Sequence, residues 1–119
     1  MKKAATHFRA KRIYDAPEEA DGLRVLVDRL WPRGITKEKA VVHLWLKDVT
    51  PSSELRQWIH HDPTQWDEFR RRYFAELDQQ PDAVQRLRDA ASEQTVTLLS
   101  AVKDLARSHV SVLLEYLHR

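Results

Sequence analysis

The sequence contains no cysteine, which removes disulfides, thiolate nucleophiles and Cys-ligated metal centres from consideration. A chain without thiol chemistry suits a reducing cytoplasm, and a cytoplasmic location is expected. Only two glycines are present, Gly22 and Gly34, so a glycine-rich phosphate loop cannot be assembled. No apolar run approaches the roughly 20 residues needed to cross a bilayer. The opening MKKAATHFRAK is basic but has no apolar centre, so a secretory leader is not expected and neither is a membrane partner. Internal repeats and low-complexity tracts are absent.

What is present is a dense, almost balanced charge. The 119 residues carry 20 Lys plus Arg against 18 Asp plus Glu, a net charge of +2. Nucleic-acid binders usually gather positive charge on one face, so this balance does not point to nucleic acid as a partner. The length fits one domain, spanning residues 1–119, with a core large enough to need no staples.

Hydrophobic periodicity outlines the elements. His7 to Tyr14 alternates loosely and carries Arg9, Lys11 and Arg12, the pattern of a polar edge strand. The segment APEEADG predicts a turn closed by Gly22. Leu23 to Leu30 reads as an internal strand. Thr95 to Val102 is apolar on both faces, as in a strand covered by helices on each side. Four helices are predicted from stripes at i, i+3 and i+4. They run through Leu55, Trp58 and Ile59; through Trp66, Phe69, Tyr73 and Leu77; through Val84, Leu87 and Ala91; and through Val110, Leu113, Leu114 and Leu117. Asp62 with Pro63 and Gln65 marks one helix start, and Ser108 marks another. Val41 to Leu46 suits a strand or a helical turn equally. The expected fold is a small single-domain α/β protein. Its sheet has roughly three strands, mostly parallel or mixed, flanked by about four helices.

In open α/β sheets ligands gather at the carboxyl ends of the strands. Two such ends carry unusual chemistry. The first is VDRLWPRGI, which runs from a strand into Asp28, Arg29, Trp31, Pro32, Arg33 and Gly34. The second is Lys103-Asp104 after the last strand, followed by Ser108-His109. Arginine forks match phosphate and carboxylate oxygens, and lysine adds a point charge. Trp31 before Pro32 is held extended, which stiffens the loop. Two readings stand. Asp28 paired with Arg29, Arg33 or Lys103 would neutralise charge at a structural corner; the same groups converging would form the rim of a binding site.

Other clusters have simpler explanations. His60 and His61 are adjacent, so on a helix they point about 100° apart, and Asp62 has a capping job; no metal is expected. Arg70-Arg71-Arg72 lies at i, i+4 from acids, through Asp67–Arg71, Glu68–Arg72 and Arg72–Glu76, as in a solvated ion-pair face. Trp45, Trp58 and Trp66 are expected in the core.

The stretches VDRLWPRGI, WLKDVTPSSELRQWIHHDPTQWDEFRRRY and TLLSAVKD with SHV resemble the YeaO-like bacterial family of the domain of unknown function 488. The resemblance covers about Arg12 to Leu117. It implies a compact cytoplasmic α/β domain and brings no activity with it. The family's D-R-x-W-P-R-G motif falls on Asp28, Arg29, Trp31, Pro32, Arg33 and Gly34. Its lysine before a Pro-Ser helix start falls on Lys47, its H-D-P on His61, Asp62 and Pro63, and its final cluster on Lys103, Asp104 and His109. More distant relatives carry cysteines near Ser100 and Ser108, positions that are serine here.

The functional expectation is a site for a small anionic metabolite, with no cofactor, possessed either by a binding protein or by an enzyme. Arg29, Trp31, Arg33 and Lys103 would bind the ligand, joined by Lys47 and His61 through the resemblance. Asp28 and Asp104 are the acid–base candidates and His109 the proton carrier. The alternative is a non-enzymatic module that docks a protein or nucleic acid through its Trp-rich loop and basic edge.

Overall fold

A computed structural model describes residues 7–119. The strand at its centre, β4 (Val96–Ser100), has all five residues buried, which explains why its sequence shows no polar alternation. It lies between β1 (Phe8–Arg12) and β2 (Leu23–Leu26), and a two-residue β3 (Leu44–Trp45) pairs with β2, giving the order β1-β4-β2-β3. Every pairing is parallel. The fold class follows expectation, with four strands among the described residues in place of about three and no antiparallel pair among them. β1 is an edge strand as its polarity suggests. The segment left open between strand and helical turn contains β3, extended by bonds from His43 N–H to the Arg24 carbonyl and from Leu46 N–H to the Leu26 carbonyl.

Helix α1 (Lys37–Ala40) is short. Four longer helices follow: α2 (Ser53–His61), α3 (Trp66–Asp78), α4 (Pro81–Ala91) and α5 (His109–Leu117). They cover one face of the sheet, where Val25, Leu98, Phe69, Tyr73, Leu87 and Leu113 belong to the larger core. The other face is thinner. There Ile13, Leu26, Ala40 and Leu99 form a small cluster with Trp31 and Trp45 packed against it. The four tryptophans are therefore divided between the two cores, since Trp58 and Trp66 flank the larger one.

Local chemistry sets the helix starts. Ser52 caps α2 by accepting from Leu55 N–H, and Glu76 of α3 accepts from the Ser52 amide and hydroxyl at 2.8 and 2.6 Å. Glu76 is thereby drawn away from the expected pair with Arg72. On the same helix Arg71 turns to Glu68 and not to Asp67, so Glu68 holds both Arg71 and Arg72, and their hydrogen bonds bring its carboxyl down to about 2. Asp62 accepts from Thr64 N–H and caps a 3-10 turn (Pro63–Gln65) that leads into α3. Ser108 caps α5 by accepting from Val110 N–H at 3.1 Å.

The chain leaves the two central strands toward opposite faces. After β2 it crosses to the thin face and α1; after β4 it crosses to the thick face and α5. Adjacent parallel strands that diverge in this way open a crevice at their carboxyl ends.

Candidate functional site at the strand ends

That crevice is a cleft of about 1050 Å³. The β2 strand stops at Leu26, short of the expected Leu30, because a side chain takes over its ladder. Asp28 accepts from Ala101 N–H at 2.7 Å and from the Ser100 hydroxyl at 2.7 Å. The carboxylate stands in for a backbone carbonyl, and the main chain beyond it is free to turn away. Burial pushes the Asp28 carboxyl up, but bonds from His109, Ala101 N–H and Ser100 outweigh it and hold the group below its ordinary range.

His109 opens α5 and points back at this junction. Its Nε2 lies 2.8 Å from the Val27 carbonyl oxygen and 3.3 Å from Asp28 Oδ1. A carbonyl oxygen can only accept, so Nε2 carries the proton and any proton pick-up falls to Nδ1. Asp28 and His109 thus form one junction that ties β2, β4 and α5 together. Asp28→Ala would orphan the Ala101 amide and leave the Ser100 hydroxyl without its acceptor, while His109 keeps its bond to the Val27 carbonyl. The expected loss is about 1–3 kcal/mol, measured as the urea midpoint at neutral pH. Because the native carboxyl sits below its unfolded value, its contribution is fully present above the unfolded pKa. It disappears as pH falls through the native one, so the variant should show a shallower acid limb.

The loop after Asp28 is pinned at three points. Trp45 Nε1 donates to the Asp28 carbonyl at 2.7 Å, Trp31 Nε1 to the Ile35 carbonyl at 2.8 Å, and the Tyr14 hydroxyl to the Arg33 carbonyl at 2.8 Å. The Trp31 and Trp45 rings meet edge to face with centroids 5.6 Å apart. Arg29 is also partly committed, donating to the carbonyls of Thr50 and Pro51 at 3.2–3.3 Å and joining this loop to the entry of α2. The Trp-Pro pair and Arg29 therefore make a stiff corner, and that corner presents other side chains to the cleft.

Of the residues expected at a site, Asp28, Arg29, Trp31, Arg33, Lys103, Asp104 and His109 line the cleft. Asp104 accepts from Ala106 N–H and caps the 3-10 turn Leu105–Arg107. Lys47 and His61 do not line it: Lys47 lies over the Trp45 ring with Nζ 4.2 Å from the centroid, and His61 is exposed at the end of α2. Sequence reasoning missed Arg56, His60 and Arg107. Arg56, Ile59 and His60 fall at i, i+3 and i+4, so the signal was a second stripe on α2 beside the apolar one.

The lining holds five Arg or Lys side chains against two Asp. Asp28 spends both carboxylate oxygens on the bonds just described, and Asp104 spends one. Among the described residues Arg33, Arg56, Lys103 and Arg107 form no ion pair with a carboxylate. No grouping of His, Asp and Glu suited to a metal ion occurs among the described residues. No helix there is long and apolar enough to cross a membrane.

A sequence family described as the inactive DUF488-N3 subclade matches residues 7–119. The chain belongs to this family. It is 43% identical over 111 residues to the uncharacterized protein YeaO of Escherichia coli, covering 93% of this chain and 96% of that one. It is 45% identical over 113 residues to the uncharacterized protein Rv3073c of Mycobacterium tuberculosis, and equally to Mb3100c of Mycobacterium bovis, with 95% of each chain covered. No solved structure matches significantly. As a YeaO-like DUF488 protein the chain has serine at two positions where the sequence resemblance implies cysteine in more distant relatives. Both hydroxyls are buried and engaged. Ser100 donates to Asp28 and accepts from Val102 N–H; Ser108 donates to the Leu105 carbonyl and accepts from Val110 N–H.

Proposed function

We propose that this DUF488 protein binds a small anionic molecule, a phosphate or a carboxylate, in the cleft at the strand ends, and binds it without turnover. The observation that carries this reading is the set of four cations, Arg33, Arg56, Lys103 and Arg107, lining one cleft and paired with neither of its two acids. Cations without a carboxylate partner around one concave surface can turn to an anion without first breaking an ion pair, and arginine forks match its oxygens in bidentate fashion.

Three observations favour binding over catalysis. Ser100 and Ser108 have no free hydroxyl to act as a nucleophile. Asp28 and Asp104 both spend oxygens on backbone amides, and His109 commits Nε2 to a carbonyl. Membership of a subclade described as inactive points the same way. A general acid–base pair needs groups free to exchange protons with a substrate.

The test is a thermal-shift panel of phosphate, sulfate, nucleotides, sugar phosphates and short carboxylates against the wild type, Arg33→Ala and Lys103→Ala. Both side chains are exposed, and the Tyr14 bond goes to the Arg33 backbone, so neither change should disturb the fold. A ligand at 100 times its Kd raises stability by about 2.7 kcal/mol. The expected result is a wild-type shift that falls sharply in both variants while their ligand-free Tm stays within about 2 °C. A shift that survives in both variants would place the anion elsewhere.

A further inference from the structure

Cations alone do not account for the shape or the lining of this cleft. Resting on the anion reading above, we infer that the ligand is an anion with an aromatic body: a flat ring bearing a phosphate or carboxylate, and not a bare inorganic ion. Three observations converge on this class.

The first is size. Pockets for drug-sized molecules run from about 300 to 1,000 Å³, and this cleft of about 1050 Å³ stands at the top of that range. A tetrahedral oxyanion would occupy a small corner and leave the remaining wall in water.

The second is the character of that wall. Ile59 and Pro63, from the end of α2 and the turn after it, join Trp66 and Phe69 of α3 along one part of the cleft. Trp66 is half-buried, and its indole stacks on Phe69 with centroids 4.7 Å apart and planes 27° from parallel. Phe69 is buried and backs one face of the indole, so the half-buried Trp66 is the ring with surface left for offset stacking by a further ring.

The third is Leu30. It lines the same cleft from the pinned loop, next to two residues whose side chains are fixed, and it is 73% exposed. No other large apolar side chain among the described residues approaches that exposure; Tyr14, at 42%, is next and also lines the cleft. A leucine set among arginines and left in water has no role in the fold. Covered by the apolar body of a ligand whose charge meets Arg33, Lys103 or Arg107, it has one. The bonds of Trp31 and Tyr14 hold the main chain of this loop, and Leu30 belongs to neither hydrophobic cluster.

The experiment is isothermal titration of the wild-type chain with matched pairs. Phenyl phosphate is compared with inorganic phosphate, benzoate with acetate, and phenol serves as the ring without charge. The aromatic member of one pair should bind at least about tenfold more tightly than its bare anion, because burying a ring removes enough apolar surface from water for that factor. Which pair shows it decides between phosphate and carboxylate. Leu30→Ser should weaken the aromatic anion several-fold and leave the bare anion unchanged; the position is too exposed for the change to unfold the chain. Trp66→Leu should do the same more strongly, with its Tm followed alongside. Equal affinities within both pairs would overturn the aromatic body and leave the anion site standing. Phenol binding as tightly as phenyl phosphate would overturn the anion reading. Absence of binding by every probe would overturn both.

Discussion

Gly22→Ala should be among the most damaging single substitutions in this chain, lowering stability by about 2–5 kcal/mol. Gly22 links the 3-10 turn Glu19–Asp21 to β2 with φ at +62°, a region that an L side chain enters only at a cost of about 1–2 kcal/mol. Steric collision adds to this. A Cβ there would stand 2.1 Å from the carbonyl oxygen of Thr95 and 2.9 Å from its carbon. The Thr95 oxygen cannot retreat freely, because it accepts from Leu23 N–H at 2.9 Å and so begins the pairing of β2 with β4. Gly34 supplies the control. It also has positive φ, +79°, but a Cβ there would meet nothing within 4 Å. Gly34→Ala should therefore cost only the conformational part, about 1–2 kcal/mol. At about 3–6 °C per kcal/mol for a domain of this size, Gly22→Ala should drop Tm by at least about 6 °C, and Gly34→Ala by clearly less. Equal drops would mean that the contact with Thr95 contributes nothing.

The same pair of glycines marks how far the sequence could be read. A glycine just before an apolar run announces a turn, and the turn is there; the backbone of a strand 70 residues later, which forbids any side chain at Gly22, is invisible in one dimension. Periodicity found the long helices because each buries a stripe against one sheet face. It found β4 because burial on both faces erases polar alternation. It could not find β3, since two residues show no period. The candidate site was legible where its residues sit at strand ends in the sequence, as Asp28, Arg33, Lys103 and His109 do. Arg56 and Arg107 escaped because their relation to the cleft depends on how α2 and the turn before α5 are seated. Lys47 and His61 looked relevant through family resemblance, yet neither lines the cleft. The strength of VDRLWPRGI as a motif reflects two tasks fused in nine residues. Asp28, Trp31 and Arg29 build the corner, while Leu30 and Arg33 line the cleft beside it.

The second large effect also lies at the amino end of β2, away from the cleft. Arg24 is 1% exposed and Asp21 is fully buried, an arrangement hidden in the sequence because a mid-strand arginine reads as a polar-facing position. Arg24 Nη1 donates to Asp21 Oδ2 at 2.6 Å, Nη2 donates to the Ala40 carbonyl at 2.7 Å, and Nε donates to the Val41 carbonyl at 3.0 Å. Val41 is held at φ +49°, a left-handed position rare for a β-branched residue, with its carbonyl on the guanidinium. Asp21 in turn accepts from Glu18 N–H and from Lys11. Burial pushes the Asp21 carboxyl up, and the Glu18 amide, Lys11 and Arg24 together hold it below its ordinary range. Removing one member of a buried pair strands the other charge in a place water does not reach. Asp21→Ala should therefore cost about 3–5 kcal/mol, read from the urea midpoint at pH 7. The double change Asp21→Leu with Arg24→Met takes both charges away but also leaves the Ala40 and Val41 carbonyls without their donor, so it should recover only part of that loss. The acid limb provides an independent check. A carboxyl held below its unfolded value stabilises fully above that value, about 4, and ceases to do so as pH falls through the native one. Both variants should show a flatter stability profile below pH 4 than the wild type. If Asp21→Ala costs under about 1 kcal/mol, water or rearrangement already compensates Arg24, and the thin face of the sheet does not depend on this pair. Because Asp21 stands at the amino end of β2 and the cleft at its carboxyl end, anion affinity of the folded variant should stay within about twofold of the wild type. That would separate the charges that build the sheet from those that line the cleft.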